Sequence, residues 1–102
     1  MVISQQEAWQ LMQSGHPAVI LDVRDEFEFE QVHIPGAMVI PFTELERRAE
    51  DELPEKDKTI LVYCRSGRRS AIAAETLEKL GYTDIRDFGG IIDWKYDVER
   101  EY

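Results

Sequence analysis

The sequence has very little cysteine: Cys64 is the only thiol among its 102 residues. A single thiol cannot form an intramolecular disulfide, so no covalent crosslink is expected within the chain, and a reducing compartment fits this composition. The same count argues against thiol–disulfide oxidoreductases and arsenate reductases, which need a second, resolving thiol. Whatever group Cys64 takes up must therefore leave to an acceptor outside the protein.

Long apolar runs and positive charge are also scarce. No run approaches the roughly 20 residues of a membrane-spanning helix, and residues 1–10 have neither the basic nor the apolar part of a signal peptide. Only 12 Lys and Arg face 21 Asp and Glu, which gives a net charge of -9. We therefore expect neither nucleic acid nor a membrane as partner, and a cytoplasmic location. Against this background the cluster of Arg65, Arg68 and Arg69 beside Cys64 stands out.

Several short segments have the apolar composition of β-strands. Two of them, residues 18–23 (AVILDV) and 59–63 (TILVY), are almost continuously apolar. Runs of that kind predict strands covered on both faces, as in a parallel sheet. The predicted strands cover residues 18–23, 38–41, 59–63 and 84–88.

Helices are predicted between these strands. Residues 4–7 (SQQE) and 43–46 (TELE) have the pattern of capping boxes, which begin helices. Residues 71–80 repeat apolar side chains at helical spacing, and Gly81 is placed to end that helix. A short final helix is predicted after the two glycines at 89–90.

Strands that alternate with helices indicate a single α/β domain over residues 1–102, with a parallel sheet and helices on both faces. Ligands of such sheets bind at the carboxyl ends of the strands. Cys64 lies at one such end, and Asp22 and Arg24 lie at the end of the strand at 18–23. We therefore expect these three side chains at the same edge of the sheet.

The residues that follow Cys64 predict an anion-binding loop. Backbone amides in a curled loop and at a helix N-terminus lack acceptors and point toward the loop's centre. Gly67 lets the backbone curl, and Ser66 and Ser70 can add hydroxyl donors. Positive surroundings favour the thiolate, the nucleophilic form of cysteine, so the expected substrate is an anion with an electrophilic atom. The candidate binding residues are Arg65, Ser66, Gly67, Arg68, Arg69 and Ser70.

The position of the arginine argues for sulfur rather than phosphorus. Cysteine-dependent phosphatases have a Cys-x5-Arg loop and usually a histidine before the cysteine. Here Ser70 occupies the sixth position after Cys64, the arginine is one residue earlier at Arg69, and Tyr63 stands before the cysteine. A shorter loop encloses less space, which suits a single sulfur atom on the cysteine better than a tetrahedral phosphate ester.

Structural interpretations compete with the functional ones. A cysteine after an apolar strand is often a small buried hydrophobic residue. Asp22 and Arg24 can be an ion pair that braces the loop, which we favour, or they can touch substrate. His33 can be a general base, but a histidine beside Pro-Gly is more often a turn residue that holds backbone carbonyls, and we favour that interpretation.

Three segments together resemble the rhodanese family of sulfurtransferases. Residues 63–82 (YCRSGRRSAIAAETLEKLGY) are similar to its active-site loop and following helix. Residues 21–41 (LDVRDEFEFEQVHIPGAMVIP) resemble its upstream signature, and residues 88–94 (FGGIIDW) resemble the close of the domain. Val32 departs from the glycine usual before His33, a change in a turn rather than in the chemistry.

The resemblance implies a rhodanese-like fold with a small, mostly parallel five-stranded sheet and a catalytic Cys64 that carries sulfur as a persulfide. Loop amides would hold that persulfide, Arg65 and Arg68 would meet the donor, and Arg69 aligns with the loop-closing arginine. Arg65 directly follows the cysteine, and in this respect the loop resembles that of family members that use thiosulfate. The expected partners are a small anionic sulfur donor and a thiol, protein or cyanide acceptor, and no cofactor is expected.

A second hypothesis stays open beside this one. Domains of this family also act as sulfur-relay or regulatory binding modules that work with a partner protein and do not turn over thiosulfate. Slow thiosulfate turnover despite a cysteine that can be loaded would indicate that role.

Overall fold

A computed structural model describes residues 1–100 and contains four parallel strands in one sheet. The spatial order is β2-β1-β3-β4, so the chain crosses over between neighbours, as helical connections require. All six residues of the central strand β3 are buried, in agreement with its continuous apolar run. The strands are β1 Ala18–Asp22, β2 Met38–Val39, β3 Thr59–Cys64 and β4 Ile85–Gly90.

The helices connect these strands and begin largely where capping residues predict. The capping box at Ser4 and Glu7 is present and confirms that prediction. A second box at Asp25 and Glu28 begins α2 and was missed in the sequence. No helix in residues 1–100 has the length and apolar character needed to cross a membrane. The helices are α1 Gln5–Gln13, α2 Glu26–Gln31, α3 Leu45–Glu52 and α4 Arg68–Lys79, followed by a 3-10 turn at Ile91–Asp93.

Two of the predicted helix features are wrong. The capping box at residues 43–46 does not form, because Glu44 takes the N-cap position with helical backbone angles. Its carboxylate instead pairs with Arg47 and Arg48 along the helix surface. The predicted final helix is only a single 3-10 turn, since Trp94 has extended backbone angles and ends it.

The expectation of a five-stranded sheet is also wrong in its strand number, because the sheet described in residues 1–100 has four strands. The position beside β4 where a further strand would pair holds only a single parallel bridge, Val2 to Asp87. Pairing stops there because Ser4 already caps helix α1. The parallel α/β architecture with helices on both faces is confirmed.

Strand β3 contributes side chains to both faces of the sheet, because successive residues of a strand point in opposite directions. Val62 lies on the face covered by α3 and α4, where it belongs to the same buried cluster as Leu77. Tyr63 lies on the other face, in the cluster that contains Ala8 of α1. The carboxyl end of β3 is thereby fixed from both sides, and it ends at Cys64.

Candidate active site

Cys64 ends strand β3 with its side chain at the base of a short loop. The residue is only 1% exposed and belongs to the buried cluster under α4. Its Sγ atom nevertheless accepts a hydrogen bond from the amide of Gly67 at 3.0 Å. Burial alone matches the interpretation as a small hydrophobic residue, but that interpretation does not account for a backbone amide directed at the sulfur.

Helix α4 begins immediately after this amide. Gly67 is its N-cap residue and has a φ angle of 105°, a left-handed backbone conformation that residues with a Cβ atom rarely adopt. The first amides of a helix have no acceptor within the helix, and the macrodipole places partial positive charge at this end. The sulfur of Cys64 therefore lies at the positive end of a helix of 12 residues.

Arg69 is held in place by Glu28 of helix α2. Its two terminal nitrogens donate to the two carboxylate oxygens at 2.7 and 3.0 Å, a bidentate pair. These hydrogen bonds lower the pKa of Glu28 to about 2. They also raise the pKa of Arg69, and the nearby Cys64 sulfur acts in the same direction. The pair ties α2 to the first turn of α4, a link that sequence analysis missed although Asp25-x-x-Glu28 is a capping pattern.

Glu28→Gln is expected to lower the free energy of unfolding at pH 7 by about 1–2 kcal/mol, since the pair is partly exposed to solvent. The folded pKa of Glu28, about 2, lies below its ordinary value of 4.5. The pair therefore stabilises the fold above about pH 4.5 and loses this effect as the pH falls toward 2. Urea unfolding across this range should show wild type and variant converging in acid.

The matched control is Glu75→Gln, which removes an exposed carboxylate in the middle of α4 with no side-chain hydrogen bond among residues 1–100. It should leave both stability and its pH dependence close to those of the wild type. Equal behaviour of the Glu28 and Glu75 variants would contradict the assignment of this pair.

Asp22 and Arg24 form a buried ion pair, as one part of the bracing interpretation expects, whereas bracing of the loop by this pair stays a prediction. Arg24 Nη2 lies 2.7 Å from Asp22 Oδ2, and the same nitrogen donates to the carbonyl of Val32 at 2.6 Å. Burial acts to lower the pKa of Arg24, but the hydrogen bonds and charge of Asp22 raise it. The guanidinium also lies over the Tyr63 ring, whose hydroxyl accepts from the amide of Ile34. These contacts fix the end of β1 beside that of β3.

His33 is a structural residue. Its Nδ1 atom lies 2.8 Å from the carbonyl oxygen of Phe29, and because a carbonyl only accepts, this nitrogen carries the proton. The ring stacks on Phe29, and the backbone of His33 pairs in both directions with that of Glu99. The favoured interpretation of His33, a turn residue that holds a backbone carbonyl, is confirmed.

Ser70 differs from its sequence-based expectation. Its hydroxyl was expected to face a substrate, but the residue is fully buried and Oγ lies 2.8 Å from Asp87 Oδ1 and 3.1 Å from the Gly67 carbonyl. The same Asp87 oxygen accepts from the amide of Gly89. Asp87, which was missed, therefore links the first turn of α4 to the end of β4.

Ser70→Ala is expected to lower the free energy of unfolding by about 1–2 kcal/mol, because Asp87 loses a buried donor. If the hydroxyl serves only this structural link, the KM for an anionic sulfur donor should stay within twofold of wild type. Thermal unfolding and initial rates measure the two effects. A raised KM with unchanged stability would instead assign the hydroxyl to substrate.

Gly90 gives the loop its path and was also missed. A Cβ atom built on Gly90 would overlap the Arg65 carbonyl oxygen and would lie 2.6 Å from Ser66 Cα. The amide of Ile92 then donates to that carbonyl at 3.1 Å. The backbone of Arg65 and Ser66 thus lies directly against the backbone of Gly90. Only glycine permits this approach, because any other residue would place a Cβ atom in the same space.

Three remaining candidates face solvent. Arg65, Ser66 and Arg68 are exposed, and neither arginine forms an ion pair with another residue of 1–100. Arg65 directly follows Cys64, and Arg68 is the first residue of α4. Contact of these side chains with a substrate stays a prediction.

The fold and the site define a parallel α/β protein with a cysteine whose sulfur accepts a hydrogen bond from the N-cap amide of a helix. Residues 4–97 match the family model of the rhodanese-like domain. The chain belongs to the rhodanese family of sulfurtransferases.

Relatives in several bacteria support this family. The chain is 40% identical to thiosulfate sulfurtransferase PspE of Escherichia coli over 73 residues, 72% of this chain and 70% of that protein. It is 35% identical to thiosulfate sulfurtransferase GlpE of Coxiella burnetii, over 91% of this chain and 85% of that one. It is 43% identical to the putative sulfur carrier protein YrkF of Bacillus subtilis, covering 88% of this chain but about half, 48%, of YrkF.

Solved structures agree on the fold. A structure described as rhodanese with anions from E. coli has a TM-score of 0.76 and 35% identity, and the match covers 81% of this chain and 98% of that one. The Alr3790 protein from Anabaena has a TM-score of 0.88 at 28% identity, over 96% and 91% of the two chains.

Proposed function

We propose that this chain acts as one sulfurtransferase domain that moves a sulfane sulfur from an anionic donor such as thiosulfate to a thiol or cyanide acceptor through a persulfide on Cys64. The observation that carries the proposal is the Gly67 amide on the Cys64 sulfur at the N-terminus of α4. A persulfide on this cysteine is an anion, and that end of a helix stabilises anions.

The first step loads the cysteine. The Cys64 thiolate attacks the outer sulfur of thiosulfate, a new S–S bond forms, and the bond to the sulfite group breaks. Sulfite leaves with the electron pair, and the charge stays on the terminal sulfur of the persulfide. Arg65 and Arg68, both exposed to solvent, attract the dianionic donor.

The second step discharges the persulfide. An acceptor nucleophile, cyanide or a thiolate, attacks the terminal sulfur, the S–S bond breaks, and Cys64 leaves as the thiolate. The two half-reactions are separate, so ping-pong kinetics are expected. The Arg69–Glu28 pair holds the first turn of α4 against α2 during both steps, and the Asp22–Arg24 pair holds the end of β1.

Intact mass spectrometry tests the loading step. Purified protein treated with thiosulfate should gain the mass of one sulfur atom, and cyanide should remove it with release of thiocyanate. Failure to load any cyanide-removable sulfur would contradict the proposal. Hydrolysis of a generic aryl phosphate that depends on Cys64 would favour the phosphatase chemistry disfavoured by the loop length.

A sulfur-relay or regulatory module is the second candidate, motivated by the similarity to a putative sulfur carrier protein. In that role Cys64 would be loaded or discharged by a partner protein, and thiosulfate turnover would be slow. The expected cytoplasmic location stays a prediction from the sequence.

A further inference from the structure

Strand β4 contains one extra residue at the point where it reaches Cys64. In its pairing with β3, Asp87 lies opposite Val62, and the next pair in register is Gly90 with Cys64. One residue of β3 is thus matched by two residues of β4, at positions 88–89, which is a β-bulge. Because a bulge interrupts the ladder of hydrogen bonds, the backbone of β4 needs partners from outside the sheet here.

The side chain of Gln5 supplies these partners. Gln5 is the first residue of α1, and its Nε2 atom donates to the carbonyl oxygen of Phe88 at 3.2 Å and to that of Gly90 at 2.8 Å. Because a carbonyl oxygen only accepts, the nitrogen of the side-chain amide must be the atom that faces them. An amide nitrogen of this kind carries two hydrogens, and both are used on the bulge.

The segment before α1 brings Gln5 to the bulge. The amide of Ile3 donates to the Asp87 carbonyl at 2.9 Å, and the amide of Asp87 donates to the Met1 carbonyl at 2.8 Å. This segment therefore runs alongside β4 up to the residue that precedes the bulge. The capping box at Ser4 then begins the helix, so the side chain of its first residue lies over the bulge.

The bulge is in turn packed against the loop that follows Cys64. Gly90 approaches this loop so closely that a Cβ atom on it would lie 2.6 Å from Ser66 Cα. The next residue of the loop is Gly67, whose amide donates to Cys64 Sγ at 3.0 Å. A shift of the Gly90 backbone would therefore move Ser66 and, with it, the amide that bonds the sulfur.

We propose that Gln5 is a positioning residue for sulfur transfer, because it holds the bulge of β4 and thereby keeps the loop in place over Cys64. The inference rests on the proposed function, since the effect on rate passes through the same cysteine. Gln5 does not act on the reacting atoms, because both of its hydrogen bonds end on the bulge. Without these donors the two carbonyls lose their partner and the bulge can shift.

Gln5→Glu and Gln5→Met test the hydrogen bonds, because neither side chain can donate near neutral pH and the two differ in charge. At saturating thiosulfate each variant should load Cys64 about tenfold more slowly than the wild type, as expected for a small displacement of the loop. The KM for thiosulfate should stay within about twofold in Gln5→Met, which changes no charge.

Two control variants separate this effect from charge and from stability. Gln6→Glu adds the same charge at the exposed neighbouring residue of α1. Gly15→Ala, just beyond the other end of α1, is destabilising because its φ angle is 76°. Both should load sulfur at the wild-type rate. Rates are compared under conditions in which urea unfolding shows every variant to be fully folded.

An NMR measurement on unloaded protein separates this inference from the proposed function. The chemical shift of the Gly67 amide proton reports its hydrogen bond to the Cys64 sulfur, whether or not thiosulfate reacts. It should change in both Gln5 variants and in neither control, and that result supports the positioning role even if thiosulfate fails to load the wild type. The inference is overturned if this signal is unchanged in both variants, if both load at the wild-type rate, or if Gly15→Ala slows loading equally.

Discussion

Cys64→Ser is expected to take up no sulfur from thiosulfate and to lose sulfur transfer by about a thousandfold or more. A serine hydroxyl is not ionised near neutral pH and cannot form a persulfide, so the first half-reaction has no nucleophile. The substitution changes one atom, and the oxygen can still accept from the Gly67 amide. Stability should therefore change by only about 1 kcal/mol, and intact mass and sulfite release measure the chemical loss.

The control for this variant is Thr76→Ala on helix α4, which follows Cys64 in the chain. Thr76 lies about two turns after the first residue of α4, and its hydroxyl donates to the Ile72 carbonyl. This variant should load sulfur as the wild type does. If the Cys64→Ser protein still gained cyanide-removable sulfur, that result would contradict the assignment of Cys64 as the sulfur carrier.

Gly90→Ala is expected to reduce sulfur transfer by about a hundredfold and the free energy of unfolding by about 1–3 kcal/mol. The φ angle of Gly90 is -124°, which alanine adopts without strain, so the backbone conformation itself is not the obstacle. The obstacle is the Arg65–Ser66 backbone, which the new Cβ overlaps. That backbone must move, and the amides that follow it move relative to Cys64. Initial rates and urea unfolding measure the two effects.

Gly15→Ala separates loop displacement from general destabilisation. Gly15 follows α1, has φ of 76°, and a Cβ there meets no atom within 4 Å. Alanine at this position is strained and should cost about 1 kcal/mol of stability without changing sulfur transfer. If the Gly90 variant lost stability but kept its rate, the loop would not depend on this close approach.

The regular elements could largely be predicted because their signals are local. The apolar run before Cys64, the capping box at Ser4 and the helical repeat after Gly67 each depend on residues within a few positions of one another. The same holds for the loop itself, in which Gly67 lies three residues from Cys64. The box predicted at Thr43 failed because Glu44, already in helical conformation, pairs with arginines on the helix surface.

The groups that hold the loop could not be predicted, because their partners are distant in the chain. Glu28 and Arg69 are 41 positions apart, and Ser70 and Asp87 are 17 apart. The residues adjacent in sequence to each of these four do not indicate which distant residue it will bond. Gly90 looked like part of a turn before a helix, but its role comes from the backbone of Arg65, which reaches it only after β3 and β4 pair.

The sequence by itself was thus enough to indicate a parallel α/β protein with one thiol just before a helix. It was enough because helices, strands and their caps depend on residues that are close together in the chain. Tertiary structure alone decided that Ser70 bonds Asp87 and that Arg69 is locked by Glu28. These features arise where separate elements meet at one edge of the sheet, and side-chain hydrogen bonds act only over the few ångströms that such packing establishes.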